Sequence, residues 1–246
     1  MKRVLILGGT REAAQLAAQA VALPGVEVIT SMAGRVRQPV APAGRMRIGG
    51  FGGVAGLIDY VREQHIELLI DATHPFAAQI SLHAATAAQA CGLPHLMLVR
   101  PPWEPMSGDR WLAVDSIAAA VGALPGMARR VFLTIGRQEL AAFAPLQGLW
   151  FLMRMIDPPV SDTPIPSGTL LLERGPFTLE DERQLLQTYA IEAIVSKNSG
   201  GDATYAKIIA AREQGLPVVM IQRPPMPAGE QVPDVAHAMA WLQQHL

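Results

Sequence analysis

Two α/β domains, each a parallel sheet with helices on both faces, are what this sequence predicts. Three observations carry the prediction. Short apolar runs alternate with amphipathic stretches along the whole chain, which is the pattern of strand–helix–strand units. The rhythm breaks at a proline cluster and then resumes. The 246 residues suit one large or two small domains at roughly 100–200 residues each.

The elements follow in order. Residues 4–7 are a short apolar run that stops at Gly8-Gly9, a buried strand. Residues 11–22 place Ala14, Leu16, Ala17 and Val21 on one side of a helix. Strands are expected at 26–30, 45–48, 68–70 and 96–99, with helices at 54–64 and 76–90 between them. Pro101-Pro102-Trp103-Glu104-Pro105 then excludes both helix and central strand. A short helix at 116–123 leads into Leu124-Pro125-Gly126, read as a hinge. Beyond it come strands at 131–135, 149–153, 170–172, 193–196 and 218–221, and helices at 179–188, 203–214 and 235–245. The expected domains are therefore 1–125, binding a dinucleotide, and 126–246, completing a ligand cleft between the two.

Composition narrows the function classes. Half the residues are apolar and 5% aromatic, so the core relies on Ala, Val, Leu, Ile and Met. A net charge of −1 gives no field to steer the chain to nucleic acid or a membrane surface. The single cysteine, Cys91, excludes an internal disulfide and an all-cysteine zinc site, and no metal is expected. The apolar run at the start is too short for a signal peptide and meets a glycine turn, so the reading is cytoplasmic.

Gly8-Gly9-Thr10-Arg11-Glu12-Ala13 joins the first strand to the first helix. Free N–H groups and the helix dipole at such a turn suit a dinucleotide pyrophosphate. Thr10 and Ala13 stand where the Gly-x-Gly-x-x-Gly fingerprint has glycine, so a plain strand–helix turn is the alternative. After the second strand no acid occurs from Val28 to Ile58, while Arg35, Arg37, Arg45 and Arg47 do. A hydroxyl (Ser31) and Arg35 beside Gly34, where an NAD enzyme has its ribose-binding acid, favour NADPH over NADH. A solvated basic loop is the bland counterpart.

Asp71-Ala72-Thr73-His74-Pro75-Phe76 ends a strand and starts a helix. Thr73 suits an N-cap and Pro75 a first helical turn, which needs no function; His74 could still meet nicotinamide or substrate. His83 and His95 read as structural. Ser196-Lys197-Asn198-Ser199-Gly200-Gly201, again between strand and helix, offers consecutive N–H groups, hydroxyls and an ammonium to an anion. Arg137, Arg154 and Arg174 also fall at strand ends and, with Lys197, could line a cleft for a polyanion.

There is no His-Glu-x-x-His, Cys-x-x-Cys or Gly-x-Ser-x-Gly, and no Tyr is followed four residues later by Lys. Hydride chemistry carried by a cofactor is the economical alternative. Its competitors are an NADP(H)-sensing regulatory protein without turnover and a two-domain transferase using a nucleotide-linked donor.

Taken together, Leu7-Gly8-Gly9-Thr10-Arg11-Glu12, Ser31…Ala33-Gly34-Arg35, Asp71-Ala72-Thr73-His74-Pro75-Phe76-Ala77, Arg100-Pro101-Pro102-Trp103, Thr134-Ile135-Gly136-Arg137 and Ser196-Lys197-Asn198-Ser199-Gly200-Gly201 give a chain that resembles the precorrin-6A reductases (CobK and CbiJ) of cobalamin biosynthesis. The resemblance implies two Rossmann-like domains with a pyridine nucleotide in the cleft between them. It implies NADPH-dependent reduction of a macrocycle carbon–carbon double bond in precorrin-6A, or its cobalt form, to the dihydro product precorrin-6B. Carried over by motif, Gly8, Gly9, Thr10, Arg11 and Glu12 serve the dinucleotide turn, Ser31, Gly34 and Arg35 the 2′-phosphate, and Thr73 and His74 the nicotinamide. Arg137, Arg154 and Arg174 would meet a tetrapyrrole rich in carboxylates, and Lys197, Asn198, Ser199, Gly200 and Gly201 would face that substrate or the far side of the cofactor. His74 and Lys197 are the catalytic candidates. Transient contact with other corrin-pathway enzymes is compatible with this reading.

Overall fold

The computed structural model describes residues 1–33 and 43–246. The chain runs β1 (Lys2–Leu7), α1 (Arg11–Ala20), β2 (Val26–Met32), β3 (Arg45–Ile48), α2 (Val54–Glu63), β4 (Leu68–Asp71), α3 (Ala78–Cys91) and β5 (His95–Leu98). It continues with β6 (Arg110–Val114), α4 (Ile117–Ala123), β7 (Arg130–Thr134), a 3₁₀ turn (Leu140–Phe143), β8 (Trp150–Met155), β9 (Gly168–Leu172), α5 (Leu179–Thr188), β10 (Ala193–Lys197), α6 (Ala206–Glu213) and β11 (Pro217–Ile221). β12 (Glu230–Val232) and α7 (Val235–Gln244) close it. No helix among the described residues is long and apolar enough to cross a membrane.

Two units result: residues 1–101 with 224–246, and residues 102–223. Each holds a six-stranded sheet, ordered β12-β5-β4-β1-β2-β3 in the first and β6-β11-β10-β7-β8-β9 in the second. Every pairing is parallel. Both sheets follow one rule. The chain lays two strands outward from a central one (β2 and β3 from β1; β8 and β9 from β7), then returns to the other side of that strand with β4 and β5, or β10 and β11. The order reverses between β1 and β4 in one unit and between β7 and β10 in the other. Ligands bind at such reversals, outside the carboxyl ends of the strands.

The expected boundary at 125/126 therefore falls inside the second unit, between α4 and β7. The reason is strand pairing at the sheet edges. β6 runs beside β11, and so precedes the strands it joins. β12 runs beside β5, and α7 packs its Ala238, Trp241 and Leu242 into the core of the first unit with Leu16, Ala17 and Ala20 of α1. The last helix and the strand before it belong with the first strand, not with the residues 102–223 that precede them. Trp241 Nε1 donates to Glu230 Oε2 (2.7 Å), tying α7 to β12.

Alternation of side chains sends the two faces of each strand to different helices. In the first sheet Val4, Ile6, Val28, Leu68, Ile70 and Leu96 meet α1 and α7, while Leu5, Leu7, Ile29 and Leu69 meet α2 and α3. In the second, Phe132, Leu152, Ile194, Val218 and Met220 meet α5 and α6. Phe151, on the opposite face, lies edge-on to Phe143 of the 3₁₀ turn, with ring centroids 6.1 Å apart.

Candidate active site

In the first unit the β1–α1 turn is fixed from two sides. The Gly8 N–H donates to the Ser31 carbonyl of β2 (2.8 Å), and a side chain at Gly8 would meet Thr30 Cγ2 at 3.0 Å. Gly9 has φ 113°, a conformation that favours glycine, and the space beside it is open. Thr10 is the N-cap of α1: its hydroxyl oxygen accepts from the Ala13 N–H (3.1 Å) while its O–H donates to the Ala72 carbonyl (2.7 Å). One side chain thus caps the helix and staples the turn to the end of β4. Glu12, in the first helical turn, pairs with Arg100 at 2.9 Å; Arg11 is exposed.

The Asp71–His74 segment leaves β4 beside that turn. Asp71 is buried; its Oδ1 accepts from the Thr73 N–H (3.0 Å) and hydroxyl (2.7 Å), and its Oδ2 has no hydrogen-bond partner among the described residues. Thr73 was expected to cap the next helix. Instead α3 starts at Ala78 with Ala77 as its cap, and the Thr73 hydroxyl serves Asp71. His74 Nδ1 accepts the Phe76 N–H (3.2 Å), which leaves Nε2 as the protonated nitrogen of the neutral ring. Thr10, Glu12, Thr73, Pro75, Leu98 and Arg100 line a small recess here. Beneath α3, His95 is held below the usual histidine range by burial, against the opposing charge of Asp71.

Ser31 lies within β2, which runs further than expected, and is buried. Gly34 and Arg35 lie outside the described residues.

In the second unit the reversal brings Glu139, after β7, next to Lys197, the last residue of β10. Lys197 Nζ pairs with Glu139 Oε1 at 2.6 Å. Arg137 Nη1 donates to the Pro158 carbonyl (3.2 Å). The glycine loop is braced from behind. The Asn198 side chain accepts from the Trp103 N–H (2.8 Å) and donates to the Trp103 carbonyl (3.0 Å). The Trp103 indole N–H donates to the Gly201 carbonyl (2.8 Å), and Arg223 donates to the carbonyls of Asn198 and Ser199 (2.9 Å each). Within the loop the Asn198 and Ser199 N–H groups donate to the Ile221 and Lys197 carbonyls (2.9 and 2.7 Å), and Gly200 and Gly201 are both left-handed (φ 68° and 72°).

Three of the expected polyanion contacts need correction or relocation. Arg154 is buried, bonded to Glu182 Oε1 (2.5 Å) and stacked 3.6 Å over the Phe177 ring, so it holds the core rather than lining an open face. Asn198 contributes its amide to Trp103. Arg174 is exposed beyond the edge strand β9, two strands from β7. Sequence reasoning quoted Arg100 and Trp103 within a motif without giving either a role, and passed over Glu139, Arg223 and the buried Lys207. The ammonium of Lys207 lies 4.8 Å from the Trp103 ring and donates to the Thr204 carbonyl; burial pushes its pKa down to about 7.

Comparison with known proteins adds to this geometry. The family model described as Precorrin-6x reductase CbiJ/CobK matches residues 3–243. The chain is 54% identical over 243 residues to a precorrin-6A reductase of Rhodococcus erythropolis, covering 98% of each. It is 45% identical over 245 residues to a precorrin-6A reductase of Rhodobacter capsulatus, covering 100% of this chain and 97% of that one. A cobalt-precorrin-6A reductase of Priestia megaterium is 27% identical over 253 residues, covering 96% and 97%. A solved structure, CobK precorrin-6A reductase, is similar with a TM-score of 0.93 at 45% identity, covering 100% of this chain and 97% of that one.

Proposed function

The chain belongs to the precorrin-6x reductase CbiJ/CobK family, and from that premise we propose that it reduces a carbon–carbon double bond of precorrin-6A with NADPH, giving the dihydro product precorrin-6B. It is a reductase acting on a CH–CH bond; a sensor without turnover or a group transferase does not fit the family. Relatives named for the metal-free substrate are 45–54% identical, and the cobalt-precorrin relatives 26–28%, which supports the metal-free form.

The observation that carries the cofactor assignment is the Thr10–Ala72 staple. It puts a glycine turn and a helix N-terminus at the point where strand order reverses, with open space at Gly9. A dinucleotide fits those residues. Gly8, Gly9 and Thr10 would hold the pyrophosphate, Ser31, Gly34 and Arg35 the 2′-phosphate, and Thr73 and His74 the nicotinamide end. When bound, the nicotinamide supplies a hydride. Glu12, neutralised by Arg100, leaves the helix end free to accept an anion.

Lys197, Ser199, Gly200, Gly201 and Arg137 are the groups for the substrate's carboxylates. They bind and orient; excluding water and fixing approach are then the main contributions to rate. The product needs a proton as well as the hydride. His74 Nε2 and Lys197 Nζ are the proton-bearing atoms these residues offer, and solvent or the substrate's own acidic protons are the other source.

The test is an anaerobic assay of the purified protein with precorrin-6A and its cobalt form, each with NADPH and NADH. Nucleotide oxidation with a product two hydrogens heavier is expected for precorrin-6A and NADPH. Tight nucleotide binding without turnover on either substrate would sink the reductase assignment, and preferred use of the cobalt form would reverse the substrate assignment.

A further inference from the structure

Trp103 braces the loop that follows β10, and Trp103 itself rests on a buried charge. Lys207, in the first turn of α6, is 2% exposed, and Trp103 8%. Lys207 Nζ stands 4.8 Å from the centre of the Trp103 ring. It donates to the Thr204 carbonyl (2.7 Å), in the segment that joins Gly201 to α6. Its other two N–H groups have no acceptor among the described residues. The same indole donates to the Gly201 carbonyl, and the Trp103 backbone exchanges two bonds with the Asn198 amide. One lysine therefore touches both the brace of the loop and the loop's exit.

The charged groups acting on Lys207 are Glu182 of α5 and Arg154 of β8, both buried. Glu182 Oε1 accepts from Arg154 (2.5 Å), and Glu182 Oε2 has no hydrogen-bond partner among the described residues. Two cations thus share one carboxylate, and Lys207 is not the one bonded to it. The other ion pairs of α5 and α6 are closed, Arg183 with Glu213 (2.7 Å) and Arg212 with Asp109 (2.9 Å). Tyr205, whose ring lies 5.6 Å from that of Trp103, accepts from Arg212 at its hydroxyl (3.0 Å). What faces the ammonium directly is the Trp103 ring, and the negative face of an indole attracts a cation most strongly where water is excluded. A methionine would fill this volume without burying a charge, so the charge itself calls for a role. Burial pushes the Lys207 pKa down to about 7, so that charge is gained and lost around neutral pH.

Resting on the substrate reading of this loop given above, we propose that Lys207 is a positioning residue: its ammonium holds the Trp103 indole, the indole holds the Asn198–Gly201 loop, and the loop binds the substrate's carboxylates most tightly while that ammonium is charged. Buried as it is, Lys207 reaches neither substrate nor cofactor and acts through Trp103 alone. Loss of its proton removes the attraction to the ring. The indole then relaxes, and the Gly201 carbonyl it held back is released toward the side where an anion is to be bound. KM rises, and the reacting atoms are left as they were.

The experiment compares wild type with Lys207→Met, which stands for the uncharged lysine at every pH, over a range from about pH 6 to about pH 8.5. At the acid end the variant's KM for precorrin-6A should be about two- to fivefold above that of wild type, the worth of one cation–ring contact. At the alkaline end the two values should agree, and the ratio of kcat values should stay constant throughout. Taking ratios cancels every titration that the two proteins share. A KM ratio that does not change with pH overturns the proposal, because Lys207 then only fills space beneath the loop; a pH-dependent ratio in kcat instead of KM overturns it as well. A second readout needs no substrate. The indole N–H resonance of Trp103, identified among those of the four tryptophans by its loss in Trp103→Phe, should shift with pH in wild type about a midpoint near 7 and stay fixed in Lys207→Met. A wild-type resonance that ignores pH overturns the proposal, even should Lys207→Met not fold. An indole that follows Lys207 in a protein that does not turn over precorrin-6A would support the positioning and remove the substrate reading on which it rests.

Discussion

Lys197 Nζ lies 2.6 Å from Glu139 Oε1; Lys197 ends β10 and Glu139 lies in the segment after β7, and β7 and β10 are the neighbouring strands at which the second sheet reverses its order. Lys197 is only 14% exposed at its side chain, so the carboxylate fixes where its charge sits. Lys197→Ala should therefore lower kcat/KM for precorrin-6A about tenfold or more while nucleotide affinity is unchanged, the loss of one charge-assisted contact. Glu139→Gln should raise KM in the same direction, and the double variant should be no worse than Lys197→Ala alone. Additive losses in that cycle would show the two residues acting independently.

Thr10 makes two bonds with one hydroxyl, to the Ala13 N–H and the Ala72 carbonyl. Thr10→Ala removes both, and loss of the cap alone costs about 0.5–2 kcal/mol. Urea denaturation should show that loss, together with weakened nucleotide binding because the β1–α1 turn is no longer tied to β4. Thr10→Ser, which keeps the hydroxyl, should restore both. Weak binding in a serine variant of normal stability would mean the methyl group, not the staple, matters.

The α/β class and most elements were legible because buried parallel strands are continuous apolar runs, as Leu69-Ile70 and Val131-Phe132-Leu133 illustrate. β6 and β12 were not. Arg110-Trp111-Leu112-Ala113-Val114 and Glu230-Gln231-Val232 are edge strands, partly solvated, whose identity comes from pairing with β11 and β5. Missing them moved the domain boundary. A signal was nonetheless present: the tripeptide Arg-Pro-Pro occurs at 100–102 and again at 223–225, at the two places where the chain passes between units. Motif spacing found the loops at both strand-order reversals, yet it could not separate groups that face a ligand from groups that brace the loop. Asn198 and Arg154 look like ligand-binding residues in sequence. Their partners, Trp103 and Glu182, are 95 and 28 residues away, and only folding brings them together.

Lys207 gives a pH dependence with a definite sign. Burial, with the nearby Arg154 charge, pushes its pKa from 10.5 down to about 7, against the pull of Glu182. Between those two values the unfolded chain binds one proton more than the folded one, so this residue makes stability rise as pH increases through that window. Denaturant midpoints measured from pH 7 to 10 should climb more steeply in wild type than in Lys207→Met. Parallel curves would mean that the buried ammonium stays charged and is compensated by Glu182.

Trp103 follows the Pro101-Pro102 pair and holds the glycine loop by two routes, its backbone through Asn198 and its indole N–H through the Gly201 carbonyl. The routes can be cut separately. Trp103→Phe keeps an aromatic ring beside Lys207 and Tyr205 but removes the bond to Gly201, freeing that carbonyl to turn toward the side where an anion is to be bound. KM for precorrin-6A should rise severalfold with little change in kcat, since the loop is proposed to bind the substrate rather than to react. Asn198→Asp keeps the acceptor for the Trp103 N–H and sets a second oxygen against the Trp103 carbonyl. An unmet buried carbonyl costs about 1–3 kcal/mol, so this variant should lose stability as well as substrate affinity. Nucleotide affinity measured alongside should hold in both variants. A drop in nucleotide affinity equal to the rise in KM would assign the loop to the cofactor instead of the substrate.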